Sequence, residues 1–224
     1  MVRQGSPQVE GACVFCDKKN FGERLIAETP SLYYVATLGQ ITGGYTLVIP
    51  KRHVSCLGAM TEEEVAEVKH AVEVAGDAID MEYGMEPVVF EHGIVGQTVQ
   101  HAHLHLVPAN VRIEDRIHAD FPGAKIDFIS SLEVLRRCYA AEGKKYLLWS
   151  MPGIPKCYFP DGLFQATWDP PAPPQYLRIV AAELTGKPER ANWRNMDPEL
   201  DKKLWSETVT RLAPHLRQYA RYRH

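Results

Sequence analysis

The stretch HAHLHLVP, residues 101–108, places three histidines two positions apart with apolar residues between them. On a β-strand, residues i, i+2 and i+4 share one face. The pattern therefore predicts a strand that turns its apolar face to a core and carries imidazoles on the other, neighbours roughly 6–7 Å apart. A helix would scatter the same side chains around its circumference. An exposed strand could carry one histidine by chance, but three on one face indicate chemistry.

The segments around this strand predict a compact α+β unit that ends near residue 110. Two stretches rich in β-branched and aromatic residues flank a glycine-containing turn and predict a hairpin. A helix begins at Thr61, which forms a capping box with Glu64. The predicted elements are the strands 31–38 and 45–50, the helix 61–82 and the strand 87–93.

The second half predicts a mixed, mainly helical extension. Its proline-rich connector DPPAPP, residues 169–174, is incompatible with a central strand or a helix interior. The predicted elements are helices at 131–143 and 175–186, a strand at 145–150 and a last helix capped by Asp197. We therefore expect a first domain, 1–125, and a C-terminal extension, 126–224, packed on it.

The composition is typical of an ordinary globular protein and does not indicate a nucleic-acid or membrane partner. The chain is 45% hydrophobic and 24% charged, with a formal net charge of −3, so no strong nucleic-acid signal exists. No apolar run approaches the ~18–20 residues of a membrane span. The segment MVRQGSPQVEGA, residues 1–12, lacks the apolar core of a secretory signal, and the five cysteines are an odd number. We expect a cytoplasmic protein without membrane attachment.

The glycine-punctuated loop before the histidines favours an anionic ligand. Gly93 and Gly96 let backbone amides approach a ligand closely, and Gln97 and Thr98 add polar groups at the strand entrance. A tight turn that needs glycine accounts for the same residues. Clustered imidazoles serve either metal binding or nucleophilic attack, and the loop favours attack at a phosphate.

A second constellation is Cys13-x-x-Cys16. One such pair is compatible with a redox couple, half of a zinc site or coincidence, and no thioredoxin-like βαβ context surrounds it. His53 and one histidine of the triad could complete a tetrahedral Cys₂His₂ site.

These segments together resemble the histidine triad (HIT) superfamily. HAHLHLV matches its pattern of three histidines alternating with apolar residues. The further matching segments, in the family's order, are CVFC (13–16), GGYTLVIPKRHV (43–54), the TEEE helix start and FEHGIVGQTVQHAHLHLVP (90–108). The resemblance covers about residues 13–110, half the chain.

The resemblance implies an antiparallel α+β fold, a homodimer and a nucleotide substrate attacked at its α-phosphorus. By position, His103 is the nucleophile and forms a nucleotidyl-histidine intermediate, while His105 contacts the phosphate or the leaving group. The implied substrate-binding residues are Gly96, Gln97 and Thr98 at the phosphate and Thr37 near the ribose. In members that keep the cysteine pair, a structural zinc is bound. Here its ligands would be Cys13, Cys16, His53 and His101.

The chain departs from the family pattern at three positions. Tyr45 stands where many small members have histidine, Glu91 where several have asparagine, and Thr37 where some have aspartate. These changes affect nucleoside specificity and the leaving group. Glu91 and His92 could form a proton-transfer couple, although a strand-end pair is the simpler interpretation.

The sequence therefore predicts a zinc-containing HIT hydrolase that releases a nucleoside monophosphate from a dinucleoside polyphosphate, a nucleoside phosphoramidate or a related conjugate. One alternative is a nucleotidyltransferase or phosphorylase with an acceptor other than water. Others are a nucleotide-binding module with little turnover and an enzyme whose three histidines hold a catalytic metal. The extension either caps the site or only packs on the core. Its candidate substrate contacts are Lys144, Lys145, Lys156, Arg178, Arg190 and Arg194.

Overall fold

The computed structural model describes residues 13–151 and 163–221, which form an eight-stranded antiparallel sheet flanked by helices. The strands lie in the order β1-β2-β3-β5-β4-β7-β8-β6. Their bounds are β1 Leu25–Glu28, β2 Leu32–Ala36, β3 Thr46–Pro50, β4 Pro87–Gly93, β5 Leu104–Pro108, β6 Ile126–Ile129, β7 Tyr146–Ser150 and β8 Phe164–Trp168. The expected α+β class with an antiparallel sheet is confirmed.

In the two described ranges, five α-helices cover the two faces of the sheet. They are α1 Glu62–Tyr83, α2 Ile113–Asp120, α3 Leu132–Glu142, α4 Tyr176–Leu184 and α5 Pro198–Arg221. Apolar residues of α1, α3 and α5 join one hydrophobic cluster, and those of α2 and α4 join the cluster on the opposite face. None of the helices in the described part of the chain is long and apolar enough to cross a membrane.

The predicted hairpin and first helix are confirmed. β2 pairs with β3 in antiparallel register, from Leu32 opposite Pro50 to Ala36 opposite Thr46. The capping box at the start of α1 is present, because the Thr61 hydroxyl accepts from the Glu64 amide while the Glu64 carboxylate accepts from the Thr61 amide. Such a reciprocal pair satisfies two amides that the first helical turn leaves without partners.

The histidine strand is shorter than predicted. β5 begins at Leu104, so His101 and His103 precede it, and the expectation of a strand from residue 101 is wrong. The pairing of β5 with β3 reaches only to Leu104 opposite Val48, and the amide of Ala102 instead donates to the Val54 carbonyl over 2.7 Å. The alternation nevertheless persists, since the apolar residues Ala102, Leu104 and Leu106 all join the cluster beneath α1.

The second half of the chain continues the same sheet. β7 pairs with β4 from Phe90 opposite Trp149 to Gly93 opposite Tyr146, and β8 and β6 follow it outward. The predicted helices of the extension and the strand at 145–150 are present as α3, α4, α5 and β7. Asp197 caps α5, since its carboxylate accepts from the Leu200 amide. The division into 1–125 and 126–224 stays a prediction.

A carboxyl group is buried between the sheet and the turn before α1. Glu91 on β4 is fully buried, and its carboxylate oxygens accept hydrogen bonds from the Leu57 amide and the Tyr146 hydroxyl. Burial raises the pKa of Glu91 to about 7, although both hydrogen bonds act in the opposite direction. Because Glu91 and His92 are adjacent on a strand, they point to opposite faces, which is incompatible with a proton-transfer couple.

We predict that Glu91→Gln changes how stability depends on pH. The raised pKa means that the folded protein holds this proton more tightly than the unfolded chain does. The wild type should therefore lose stability as pH rises from the ordinary value of 4.5 through about 7. Relative to the variant, the loss should reach about 3 kcal/mol. Denaturant titrations across this pH range measure it. Glu86→Gln, at an exposed site, is the control, and parallel pH curves for wild type and Glu91→Gln would contradict the prediction.

Candidate functional site

The three histidines divide between two sites. The imidazole of His101 turns towards Cys13 and Cys16, with its Nδ1 3.4 Å and 3.5 Å from the two sulfurs. His103 and His105 instead line a cavity on the other side, with ring centroids 4.8 Å apart. The sequence pattern predicts that the three histidines share one face, but the structure places them in two different sites.

His103 has the geometry of a nucleophile. Its Nδ1 lies 2.6 Å from the His101 carbonyl oxygen, which only accepts, so Nδ1 carries the proton. Nε2 is then the unprotonated nitrogen, and it makes no hydrogen bond with any residue the structure describes. Burial lowers the pKa of His103 to about 4, which keeps the ring neutral at neutral pH. The result is an available lone pair at the edge of the cavity.

His105 presents a hydrogen-bond donor to the same cavity. The Tyr45 hydroxyl lies 2.6 Å from His105 Nδ1, and burial raises the pKa of Tyr45, so the phenol keeps a proton that it can donate to Nδ1. That donation requires the proton of the neutral imidazole to be on Nε2, which is buried without a partner among the described residues. The ring stacks on Phe90, with centroids 4.6 Å apart and 13° between the planes.

His92 is a site residue that the sequence reasoning did not select for the cavity. It lines the cavity with its ring 5.7 Å from that of His105. Its Nε2 accepts a 3.0 Å hydrogen bond from the Leu177 amide of α4. Burial lowers its pKa to about 3, and the positive charge of Arg178 acts in the same direction. The alternation in PVVFEHG places His92 on the Phe90 face and was the available signal.

The loop before the histidines is fixed by its backbone. Gly96 has φ +67°, and a Cβ there would lie 2.5 Å from the Pro173 carbonyl oxygen, so this close approach requires glycine. The Gly96 carbonyl accepts from the Gln175 amide. Gln97 donates through Nε2 to the carbonyls of Ser55 and His101, while its buried Oε1 has no partner within the described chain.

A cavity of about 550 Å³ brings the predicted substrate-binding residues together. All six predicted residues outside the metal set line it, namely Thr37, Gly96, Gln97, Thr98, His103 and His105. The sequence reasoning did not select several other lining residues, among them Phe15, Asn20, Phe21, Arg24, His92, Gln175 and Trp193. Nothing local in the sequence marks the residues before β1 as part of this wall.

The extension forms part of the wall. Gln175, Arg178, Trp193 and Arg194 line the cavity. Of the candidate contacts in the extension, Arg178 and Arg194 therefore reach the site. Arg190 binds the carbonyls of Gln40 and Ile41 instead, Lys144 and Lys145 do not line the cavity, and Lys156 lies outside the described residues.

A second cluster lies behind the triad and could hold a metal ion. One ligand atom each from Cys13, Cys16, His53 and His101 lies within 4.8 Å of every other. His53 Nδ1 is 3.3 Å from the Cys16 sulfur. His101 Nε2 lies 2.8 Å from the Pro50 carbonyl oxygen and donates to it, which leaves Nδ1 unprotonated and directed at the thiols. The four residues predicted as metal ligands are thus brought together.

Comparisons with known proteins match the first half of the chain. The family model of the HIT domain matches residues 18–111. Protein hit of Bacillus subtilis is 30% identical over 101 residues, 43% of this chain and 70% of that protein. An uncharacterised HIT-like protein of Mycoplasma genitalium is 29% identical over 102 residues, 43% and 72% of the two chains. A solved HIT family protein of Bacillus anthracis is 30% identical, covering 43% and 72%, with a TM-score of 0.41.

We predict that Tyr45→Phe destabilises the protein by about 1–3 kcal/mol, because it removes the partner of a buried ring nitrogen. The same change should shift the proton of His105 between its two nitrogens, which ¹⁵N chemical shifts of the imidazole report. Denaturant unfolding measures the stability. Tyr33→Phe is the matched control, since that tyrosine is half-buried in the neighbouring strand and its hydroxyl makes no hydrogen bond with the described residues. An unchanged stability and tautomer in Tyr45→Phe would show that the hydroxyl does not orient His105.

Proposed function

Because this chain belongs to the HIT family, we propose that it is a nucleotide hydrolase that cleaves at the α-phosphorus of a nucleotide conjugate. The conjugate is a dinucleoside polyphosphate, a nucleoside phosphoramidate or a related compound, and the product is a nucleoside monophosphate. The observation that carries the proposal is the hydrogen bond from His103 Nδ1 to the His101 carbonyl, since it leaves the Nε2 lone pair at the cavity.

The reaction proceeds in two displacements. His103 Nε2 forms a bond to the α-phosphorus, and the bond from phosphorus to the leaving group breaks with its electron pair on the leaving group. The imidazole becomes positively charged, and its Nδ1–H then donates a stronger hydrogen bond to the His101 carbonyl. In the second step water forms a bond to the phosphorus and loses a proton. The bond from phosphorus to Nε2 breaks with its electron pair on the imidazole, which frees His103 and the nucleoside monophosphate. One difficult displacement thereby becomes two easier ones.

The residues around His103 supply binding and orientation. His105 Nε2–H donates to a phosphate or leaving-group oxygen, which gives the buried nitrogen the partner it lacks. Thr98 and the backbone at Gly96 bind the phosphate, and Thr37 lies on the ribose side. Gln97 donates to the same His101 carbonyl as His103 does, over 3.1 Å, so it helps to hold the acceptor that orients the nucleophile.

A structural zinc fits the second cluster. Two thiolates and two imidazole nitrogens are a common zinc set, and tetrahedral coordination with ordinary zinc bond lengths separates sulfur from nitrogen by ~3.6 Å. The separations of 3.3–3.5 Å from Cys13 and Cys16 to the imidazoles agree with that spacing. Such an ion would tie Cys13, Cys16 and His53 to His101 and would neutralise the thiolate charge. We expect it to hold the fold rather than to act on the substrate.

A transferase or phosphorylase shares the first displacement and differs only in its acceptor, so the same site geometry supports it. A binding module with little turnover would have no need of an unprotonated Nε2 at the cavity. The expected homodimer and cytoplasmic location stay predictions.

We predict that wild type releases nucleoside monophosphate from at least one member of a panel of dinucleoside polyphosphates, nucleoside phosphoramidates and nucleotide sugars. His103→Ala should release none, because it lacks the nucleophile. Chromatography quantifies the product. His118→Ala, which changes an exposed histidine of α2, should behave as wild type.

Three other results are distinguishable in this assay. Equal release by His103→Ala and wild type would rule out the covalent mechanism. Release that requires an added acceptor would identify a transferase or phosphorylase. Nucleotide binding by wild type without release under either condition would identify a binding module.

We predict about one zinc per chain, with most of it lost in Cys13→Ala. Elemental analysis of the purified protein measures the content. Cys138→Ala, in α3 and outside the cluster, is the matched control and should keep the metal. His103→Ala should also keep it. Loss of metal in His103→Ala with retention in Cys13→Ala would instead favour a catalytic metal on the triad.

A further inference from the structure

The residues of the described ranges that line the cavity carry positive charges and no negative ones. Its lining contains three arginines, Arg24, Arg178 and Arg194, and no aspartate or glutamate among the described residues. Two of the three arginines come from the extension, and the third precedes β1. Such a lining creates a positive potential that the low-dielectric walls strengthen. The charge exceeds what a single α-phosphate between His103 and His105 would require.

None of these three arginines has a carboxylate partner within ion-pair distance in the described part of the chain. Arg178 is only 4% exposed, and its guanidinium donates to the carbonyls of Gly39, Arg190 and Ala191. Arg24 donates to the Ala36 and Asn20 carbonyls. Buried charges in proteins are normally paired, because desolvation is costly. Asp201 stabilises the charge of Arg24 from beyond ion-pair distance, whereas the buried Arg178 has no carboxylate partner among the described residues. The missing counter-charge at Arg178 therefore indicates an anionic ligand.

The position of Arg178 connects this charge to the reacting groups. Its guanidinium carbon lies 5.4 Å from the centre of the Tyr45 ring, and the Tyr45 hydroxyl contacts His105. Arg194 is exposed and belongs to the part of the cavity wall that the extension forms. Its guanidinium carbon lies 4.4 Å from the centre of the Trp193 ring. Arg178 thus lies next to Tyr45, the partner of the His105 expected at the leaving group, and Arg194 is accessible at the cavity wall.

We propose that Arg178 and Arg194 of the extension, with Arg24, form a subsite for a leaving group that itself carries phosphate. This inference rests on the proposed function, since it assigns the group that departs from the α-phosphorus when His103 attacks. The bond that breaks joins the α-phosphorus to a bridging oxygen. The electron pair remains on that oxygen, so the departing phosphate gains one negative charge facing the arginines.

The protonation of the site agrees with this leaving group. An amine leaves a phosphoramidate readily only when it takes up a proton. His92 and His105 are neutral imidazoles at neutral pH, because burial lowers both pKa values, that of His92 to about 3. They are poor acids for an amine. A phosphate leaves as a stable anion and needs only neutralisation of its charge, which fixed arginines supply without a proton.

Arg194→Gln provides the test, because this exposed side chain makes no ion pair that the fold would lose. We expect kcat/KM for a dinucleoside triphosphate to fall about tenfold, the effect of losing one contact of ~1.4 kcal/mol. For a phosphoramidate of the same nucleoside with an uncharged amine, it should change less than about twofold. Arg137→Gln removes an exposed arginine outside the cavity and should leave both substrates unaffected. Equal losses for the two substrates, or no loss for either, would overturn the subsite.

A binding measurement separates failure of the subsite from failure of the proposed function. If wild type releases no nucleoside monophosphate from any substrate, the proposed hydrolase is wrong, and calorimetry with inorganic tripolyphosphate still tests the arginines. We expect binding to wild type that weakens about tenfold in Arg194→Gln and is retained in Arg137→Gln. Absence of binding to wild type, or the same affinity in all three proteins, would overturn the inference.

Discussion

The peptide carbonyl of His101 determines which nitrogen of His103 is available. It accepts from His103 Nδ1 over 2.6 Å and from Gln97 Nε2 over 3.1 Å, so two side chains converge on one oxygen. The side chain of the same residue is held by the Pro50 carbonyl and directed at Cys13. Residue 101 therefore belongs to both sites, with its ring in the cysteine cluster and its carbonyl on the nucleophile. Movement of either part would alter the direction of the His103 lone pair.

The extension is joined to this arrangement by hydrogen bonds from its helices. At the start of α4, the Leu177 amide binds His92 and the Gln175 amide binds the Gly96 carbonyl. In α5, the Asp201 carboxylate accepts from two amides of the β2–β3 loop, those of Gly39 and Gln40. This loop leads directly into Tyr45, which orients His105. A segment that the sequence presents as an appendage thus positions residues of the first half.

The sequence predicted the parts of the fold that short-range patterns determine. The capping box at Thr61 and the alternation in 87–93 are complete within a few residues, and both elements are present. The four cysteine and histidine ligands could be grouped because the resemblance supplied contacts between distant segments. The strands β1, β6 and β8 and the helix α2 were not predicted, because these segments lack a distinct local pattern and depend on partners elsewhere in the chain. The position of Arg24 in the cavity wall could not be predicted for the same reason, because most of the other lining residues are distant in the sequence.

The position of β4 has a consequence for how the site is assembled. Both of its edges are hydrogen-bonded within one chain, to β5 on one side and to β7 on the other. A second subunit could not extend the sheet there without displacing β7, so a homodimer would have to use a different surface. Within this one chain, the first half and the extension both contribute residues to the cavity wall. The meeting of these two parts of the wall is therefore a first-order event in the folding of a single polypeptide.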